Sequence, residues 1–164
     1  MKAKKILFCI MFWVISLTWG IIMTSIGLIA TGSLNLVKLI AKLFKKDLKI
    51  KTHINGCSLI TEVGGNWGGV ELGAVALCGN YSKSSKYWFE HTRRHEFGHA
   101  VQHLIFGPLF IFVVAIPSAC RYWYQRIMSK KGKRFPADWY DCNAWFEGGA
   151  TRWGTKVVNW LESK

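Results

Sequence analysis

The chain has 164 residues, enough for one hydrophobic core but not for two independent ones. Half of it is hydrophobic, nine residues are Trp and the formal charge is +13, a balance that suits nucleic acid or an anionic membrane surface. No motif that reads DNA or RNA accompanies the charge, so nucleic acid is excluded as a partner and a lipid bilayer is expected instead.

After the basic start "MKAKK", 25 residues from Ile6 to Ala30 carry no charge, which is long enough to span a bilayer with some tilt. A cleaved signal peptide has a shorter apolar core, so residues 1–33 read as a retained single-pass membrane anchor. Residues 34–50 follow as a basic amphipathic helix in the interface. There Lys38, Lys42, Lys45 and Lys49 recur at helical spacing opposite Leu36, Leu39, Ile40, Leu43 and Phe44. Lysines flank the apolar run on both sides, so the positive-inside rule pulls both ways. The cysteines weigh towards a cytoplasmic main domain: Cys9, Cys57, Cys78, Cys120 and Cys142 are odd in number, lack CxxC spacing and read as buried reduced thiols. Cys57 and Cys78 are placed to pair across a hairpin only in an oxidising compartment.

Residues 51–164 form the main domain. "CSLITEV" and "VELGAVALC" read as two strands joined by the glycine-rich turn "GGNWGG", and Gly73 within the second marks a bulge or a close backbone approach. A helix is expected from a cap at Ser84 or Ser85 to a break at Gly107-Pro108. The apolar stretch from Leu104 to Pro117, with two prolines, is too short for a full crossing and fits a re-entrant or buried segment over residues 104–120. "RYWYQRIMSKKGKRF" then has the basic and aromatic character of an interface. From Asp141 onwards Phe146, Ala150, Trp153, Val157 and Trp160 recur at three and four residues, predicting a C-terminal helix packed on the core.

The first long helix contains the chemistry. "HTRRHEFGHAVQH" places His91, His95, His99 and His103 at four-residue spacing, and within it "HEFGH" is an HExxH motif. His at i and i+4 stand about 6 Å apart along one helical face, so His95 and His99 can reach one Zn²⁺. Glu96, rotated about 100° from His95, can reach a water on that ion without ligating it and serve as general base. In a chain with this composition a chance HExxH arises on the order of half a per cent of the time, which makes coincidence a poor explanation. His91 and His103 are three helical turns apart and cannot join the same tetrahedral ion, so they read as groups that steady a ligand from behind or lie on the helix surface.

A catalytic zinc needs a third protein ligand. Glu147 in "WFEGGATRWG" is the best candidate, because Gly148, Gly149 and Ala150 allow its helix to approach closely. Asp141 suits a helix cap, and Cys142 has no partner thiol. Tyr140, Arg152 and Tyr87 are candidate oxyanion donors.

HEFGH followed about 50 residues later by Glu147-Gly148-Gly149-Ala150-Thr151 resembles the gluzincin metallopeptidases, whose downstream helix carries an ExxA(D) pattern with the glutamate on zinc. "GNWGGVELG", "HEFGHAVQHLIFGPL" and "IPSACRYWY" further resemble a group of small bacterial membrane-associated proteins with the same motif, over roughly residues 55–155. The resemblance implies an α+β, minimal zincin-like domain built of a glycine-rich β-hairpin, the HExxH helix and a Glu-bearing C-terminal helix, behind an N-terminal transmembrane helix. It implies zinc on His95, His99 and Glu147, a zinc-bound water activated by Glu96, a peptide or protein substrate, and "VELGAVALC" as an edge strand along the cleft. Thr151 stands where the ExxAD type has Asp, so a hydroxyl replaces a charge behind the ligand histidine. The alternative is a non-catalytic membrane protein whose histidine row binds metal or relays protons.

Overall fold

The computed structural model describes residues 2–65, 67–80, 86–136, 139–142 and 144–163. It is a mixed α+β structure, consistent with the class expected from sequence. The expected cap at Ser84 or Ser85 lies outside the described residues, as do the side chains of Tyr87, Asp141 and Cys142.

The apolar N-terminal run does not form one helix. It breaks at Trp19-Gly20 into α1 (Lys2–Thr18) and α2 (Ile21–Leu43), and α2 continues without interruption through the expected boundary at residues 33 and 34. The break is a packing requirement. A Cβ at Gly20 would lie 2.3 Å from the His103 ring, and one at Gly107 would lie 2.1 Å from the Trp19 indole, so the two chain segments cross at the closest distance their backbones allow.

Helix α1 lies on the domain. Phe12 stacks on Phe97 with ring centroids 5.7 Å apart, Trp13 donates to the Cys57 carbonyl at 2.8 Å, and Cys9 forms a disulfide with Cys57. This corrects the expectation of reduced thiols. Cys57 faces Cys9 across 48 residues of sequence rather than Cys78, which is free and buried.

Helix α2 is long and apolar enough to cross a membrane. It turns a polar stripe inward. Thr24 accepts from the Ala74 amide at 3.3 Å, Thr31 meets Thr61 at 3.0 Å, Asn35 donates to Thr52 at 2.9 Å and Lys38 donates to the Ile50 carbonyl at 2.6 Å. These residues recur at helical spacing, with Gly27 between them packed on Leu72 and Val75. The opposite surface exposes Ile22, Ile26, Ile29, Leu36 and Leu43.

The sheet has four strands, β1 (Lys51–Asn55), β2 (Ser58–Gly64), β3 (Gly69–Leu72) and β4 (Val75–Asn80), in the order β1-β2-β4-β3. The glycine-rich segment is therefore not a hairpin turn. It carries the chain past β4, so that β2 and β4 pair in parallel with Leu59 opposite Val75, and β3 becomes the edge. "VELGAVALC" is itself the hairpin: Gly73, at φ +78°, turns the chain between β3 and β4, in contact with Thr24. β1 has no counterpart among the expected strands, because "KTHIN" reads as part of a basic stretch.

Helix α3 (Lys86–Phe106) ends at Gly107-Pro108 as expected, with Gly107 at φ +51°. A tight turn over 107–109 and a wide turn over 111–115 lead into α4 (Ile116–Lys130), with a bend of 119° between residues 89–109 and 111–130. Within the bend Phe110 and Val114 are buried, whereas Leu109, Phe112 and Ile116 are exposed. The short α5 (Trp139–Cys142) precedes α6 (Trp145–Glu162).

Helices α3 and α6 pack antiparallel at very short range. A Cβ on Gly98 would lie 1.8 Å from the Ala150 carbonyl oxygen, and one on Gly154 1.8 Å from that of Arg94. The buried stripe of α6 is Glu147, Gly149, Ala150, Gly154 and Val158, rotated from the expected one: Trp153 and Trp160 are exposed.

Candidate metal centre

The close packing of α3 on α6 brings His95, His99 and Glu147 together. Nε2 of His95 lies 3.1 Å and Nε2 of His99 3.3 Å from the same Glu147 carboxylate oxygen, Oε2, and the two ring nitrogens are 3.1 Å apart. All three residues are buried, and their ligand atoms lie within 4.8 Å of one another.

The outer face of each imidazole is tied down. Nδ1 of His95 meets the Thr151 hydroxyl at 2.9 Å, and Nδ1 of His99 meets Oε1 of Gln102 at 2.8 Å. Gln102 fixes a tautomer. Its Nε2 donates to the Phe146 carbonyl at 2.7 Å, which leaves Oε1 to accept from His99, so the His99 proton is on Nδ1 and its Nε2 lone pair points inward. A bare imidazole nitrogen, a second imidazole and a carboxylate oxygen aimed at one buried point form a stable group only around positive charge, either a shared proton or a metal ion. The donor set of two nitrogens and one carboxylate, each steadied from behind, fits a divalent ion.

The electrostatics agree. Burial alone would raise the Glu147 carboxyl, but the His95 and His99 imidazoles against it outweigh burial and hold the group below the ordinary range. Glu96 is buried next to the cluster and its carboxyl is raised, first by burial, with His95 and His99 pulling the other way. It leans on β3. A Cβ at Gly69 would lie 2.7 Å from Glu96 Oε1, and the Glu71 amide bonds the carboxylate, so only glycine at 69 lets the acid lie against this edge. Glu71 is buried on the same strand, its carboxyl raised by burial and by the Glu96 charge.

A cavity of about 680 Å³ opens from this cluster, lined by the edge of β3, by His91, His95, Glu96 and His99 on α3, and by Val114, Ser118 and Tyr140 among others. The Tyr140 hydroxyl meets Ser118 Oγ at 2.8 Å. Burial foremost, and then the Glu147 carboxylate, raise its phenol, so it stays protonated and able to donate. Arg152 does not reach the cavity: exposed on α6, it donates back to the Gly148 carbonyl at 3.2 Å. That corrects its candidacy as oxyanion donor.

The histidine row divides. His91 lines the cavity outside the three-residue cluster. His103 is buried beyond it, 4.0 Å from Glu71 and against the Phe110 ring, where burial pushes its imidazole down to about 4. The row thus falls into three environments, with His95 and His99 sharing one. Gln102, Gly69 and Glu71 are site residues that spacing did not indicate, although Gln102 stands one turn beyond His99 on the same face.

Compared with family models, with curated proteins and with solved structures, the chain finds no match.

Proposed function

We propose that this chain is a membrane-anchored zinc metallopeptidase of minimal, gluzincin-like form. The observation that carries the proposal is the convergence of His95, His99 and Glu147 on one buried point, with Glu96 beside them at the wall of an open cavity. His95, His99 and Glu147 would hold the ion, and two imidazoles with one carboxylate suit zinc. When bound, zinc supplies Lewis acidity that polarises a peptide carbonyl and makes water acidic enough for a carboxylate to deprotonate.

The protein's own groups do the rest. Glu96 takes the proton and returns it to the leaving amine, a task suited to a carboxylate whose affinity for protons is raised by burial. Tyr140, held protonated, donates to the oxyanion. Thr151 orients His95 through its hydroxyl without adding charge, in the place where the ExxAD pattern has Asp. The unpaired side of β3 accepts the substrate backbone as an added strand, beside the general base.

Membrane attachment is supported by the inversion of α2. A helix in water turns its apolar face to the protein, whereas α2 turns its threonines, asparagine and lysine inward and its isoleucines and leucines outward. The test of the activity is hydrolysis of an unstructured protein such as casein by the purified full chain. Wild type cleaves and loses cleavage to a chelator, and Glu96→Gln retains zinc but is inactive by about a thousandfold or more. Undiminished cleavage by Glu96→Gln refutes the mechanism.

A further inference from the structure

The wall of the cavity opposite β3 is made by the bend and the start of α4, and the two sides of this segment differ in character. Val114, Ala115, Ser118 and Tyr122 face the cavity. On the other side Leu109, Phe112 and Ile116 are 58%, 68% and 48% exposed, a continuous apolar surface on a segment of only three to four turns. Trp123 is both exposed and part of the cavity lining, so it stands at the mouth. Within the next turns come Arg126, Lys130, Lys131, Lys133 and Arg134.

An apolar ridge, then exposed tryptophan and tyrosine, then a cluster of cations is the order in which a chain meets acyl tails, glycerol backbone and anionic headgroups. The charge complement is on the protein as a whole as well, at +13. A ridge seated in lipid puts the cavity mouth at Trp123 level with the headgroups, and a peptide reaching the unpaired edge of β3 passes that mouth.

We infer that the cavity takes its substrate from the surface of an anionic bilayer: an extended peptide segment tethered in, or lying on, the same membrane as the protein. This inference rests on the peptidase proposal and narrows its substrate class. Soluble peptides reach the same residues only by diffusion, whereas a tethered one is concentrated at the mouth. The ridge residues Leu109 and Phe112 serve as the seat and do not touch substrate.

The experiment uses the full chain in phosphatidylglycerol–phosphatidylcholine vesicles and one fluorogenic random-sequence peptide pool, prepared with and without a palmitoyl chain. Wild type turns over the palmitoylated pool at least about tenfold faster, and the ratio shrinks in vesicles of phosphatidylcholine alone. Leu109→Ser/Phe112→Ser loses most of that ratio while cleaving the untethered pool at the wild-type rate, with its zinc content reporting that it is folded. Equal turnover of the two pools by wild type, with Glu96→Gln inactive on both, overturns the inference and leaves the peptidase assignment standing. Cleavage of neither pool by zinc-loaded wild type overturns both.

Discussion

The amide of Gln102 joins the two helices that bring His95, His99 and Glu147 together, donating to the Phe146 carbonyl on one side and orienting His99 on the other. Gln102→Leu removes both bonds and frees the His99 ring to rotate, so zinc affinity falls about 10- to 100-fold, measured by competition with a chromophoric chelator. Thr151→Val weakens affinity about tenfold by the same argument at His95, and Thr151→Asp restores or exceeds the wild-type value because a carboxylate hydrogen-bonds the ring and balances its charge. Arg152→Ala, in contrast, leaves zinc content and turnover unchanged, since its guanidinium only folds back on its own helix. At this scale the three residues that converge were legible and the groups that steady them were not. HExxH is a short-range pattern set by helical geometry, whereas the partner of each Nδ1 depends on how α6 is rotated against α3.

Helix α6 shows why that rotation was misread. The recurrence of Phe146, Trp153 and Trp160 marks the apolar face that in water would be the core, but the buried face carries glycine, alanine and one glutamate. Close approach demanded small residues, and the aromatic face is left outside, with Trp160 against Phe8 of α1. Gly98→Ala places a methyl against the Ala150 carbonyl and costs about 1–3 kcal/mol, seen as a lower melting temperature together with lost zinc. Gly32→Ala on α2, where a Cβ meets nothing within 4 Å, is neutral or stabilising by up to about 1 kcal/mol. The glycine-rich segment was misread for a related reason. Local turn signals predict a hairpin at the glycine-rich segment, but the hairpin forms later, at Gly73, between β3 and β4, and β2 pairs in parallel with β4. Long-range pairing also hid the Cys9–Cys57 disulfide, which ties α1 to the β1–β2 turn. Such a bond persists in an oxidising compartment, which reverses the weight the cysteines gave to the cytoplasm. Alkylation without reductant modifies the exposed Cys120 and spares Cys9 and Cys57, and Cys9→Ser costs about 2–4 kcal/mol of stability.

At the scale of the molecule, apolar residues cover the outside and many polar ones are turned in. Composition signalled that much: a chain half hydrophobic with nine tryptophans is out of place in water. The run was legible as apolar enough to cross a membrane, a property that α2 has, but its division at Gly20 was not, because that break answers to His103, far away in sequence. Extraction from membranes accordingly requires detergent, and salt or carbonate washes leave the chain in the pellet. The proposed activity requires one divalent ion held by His95, His99 and Glu147 between α3 and α6. Its most direct measurement is metal content after purification and zinc loading, for wild type beside Glu147→Ala and Glu96→Gln. Wild type and Glu96→Gln are expected to hold about one zinc per chain, and Glu147→Ala to hold far less. A wild type that binds no zinc, or a Glu147→Ala that binds it as tightly, contradicts the account.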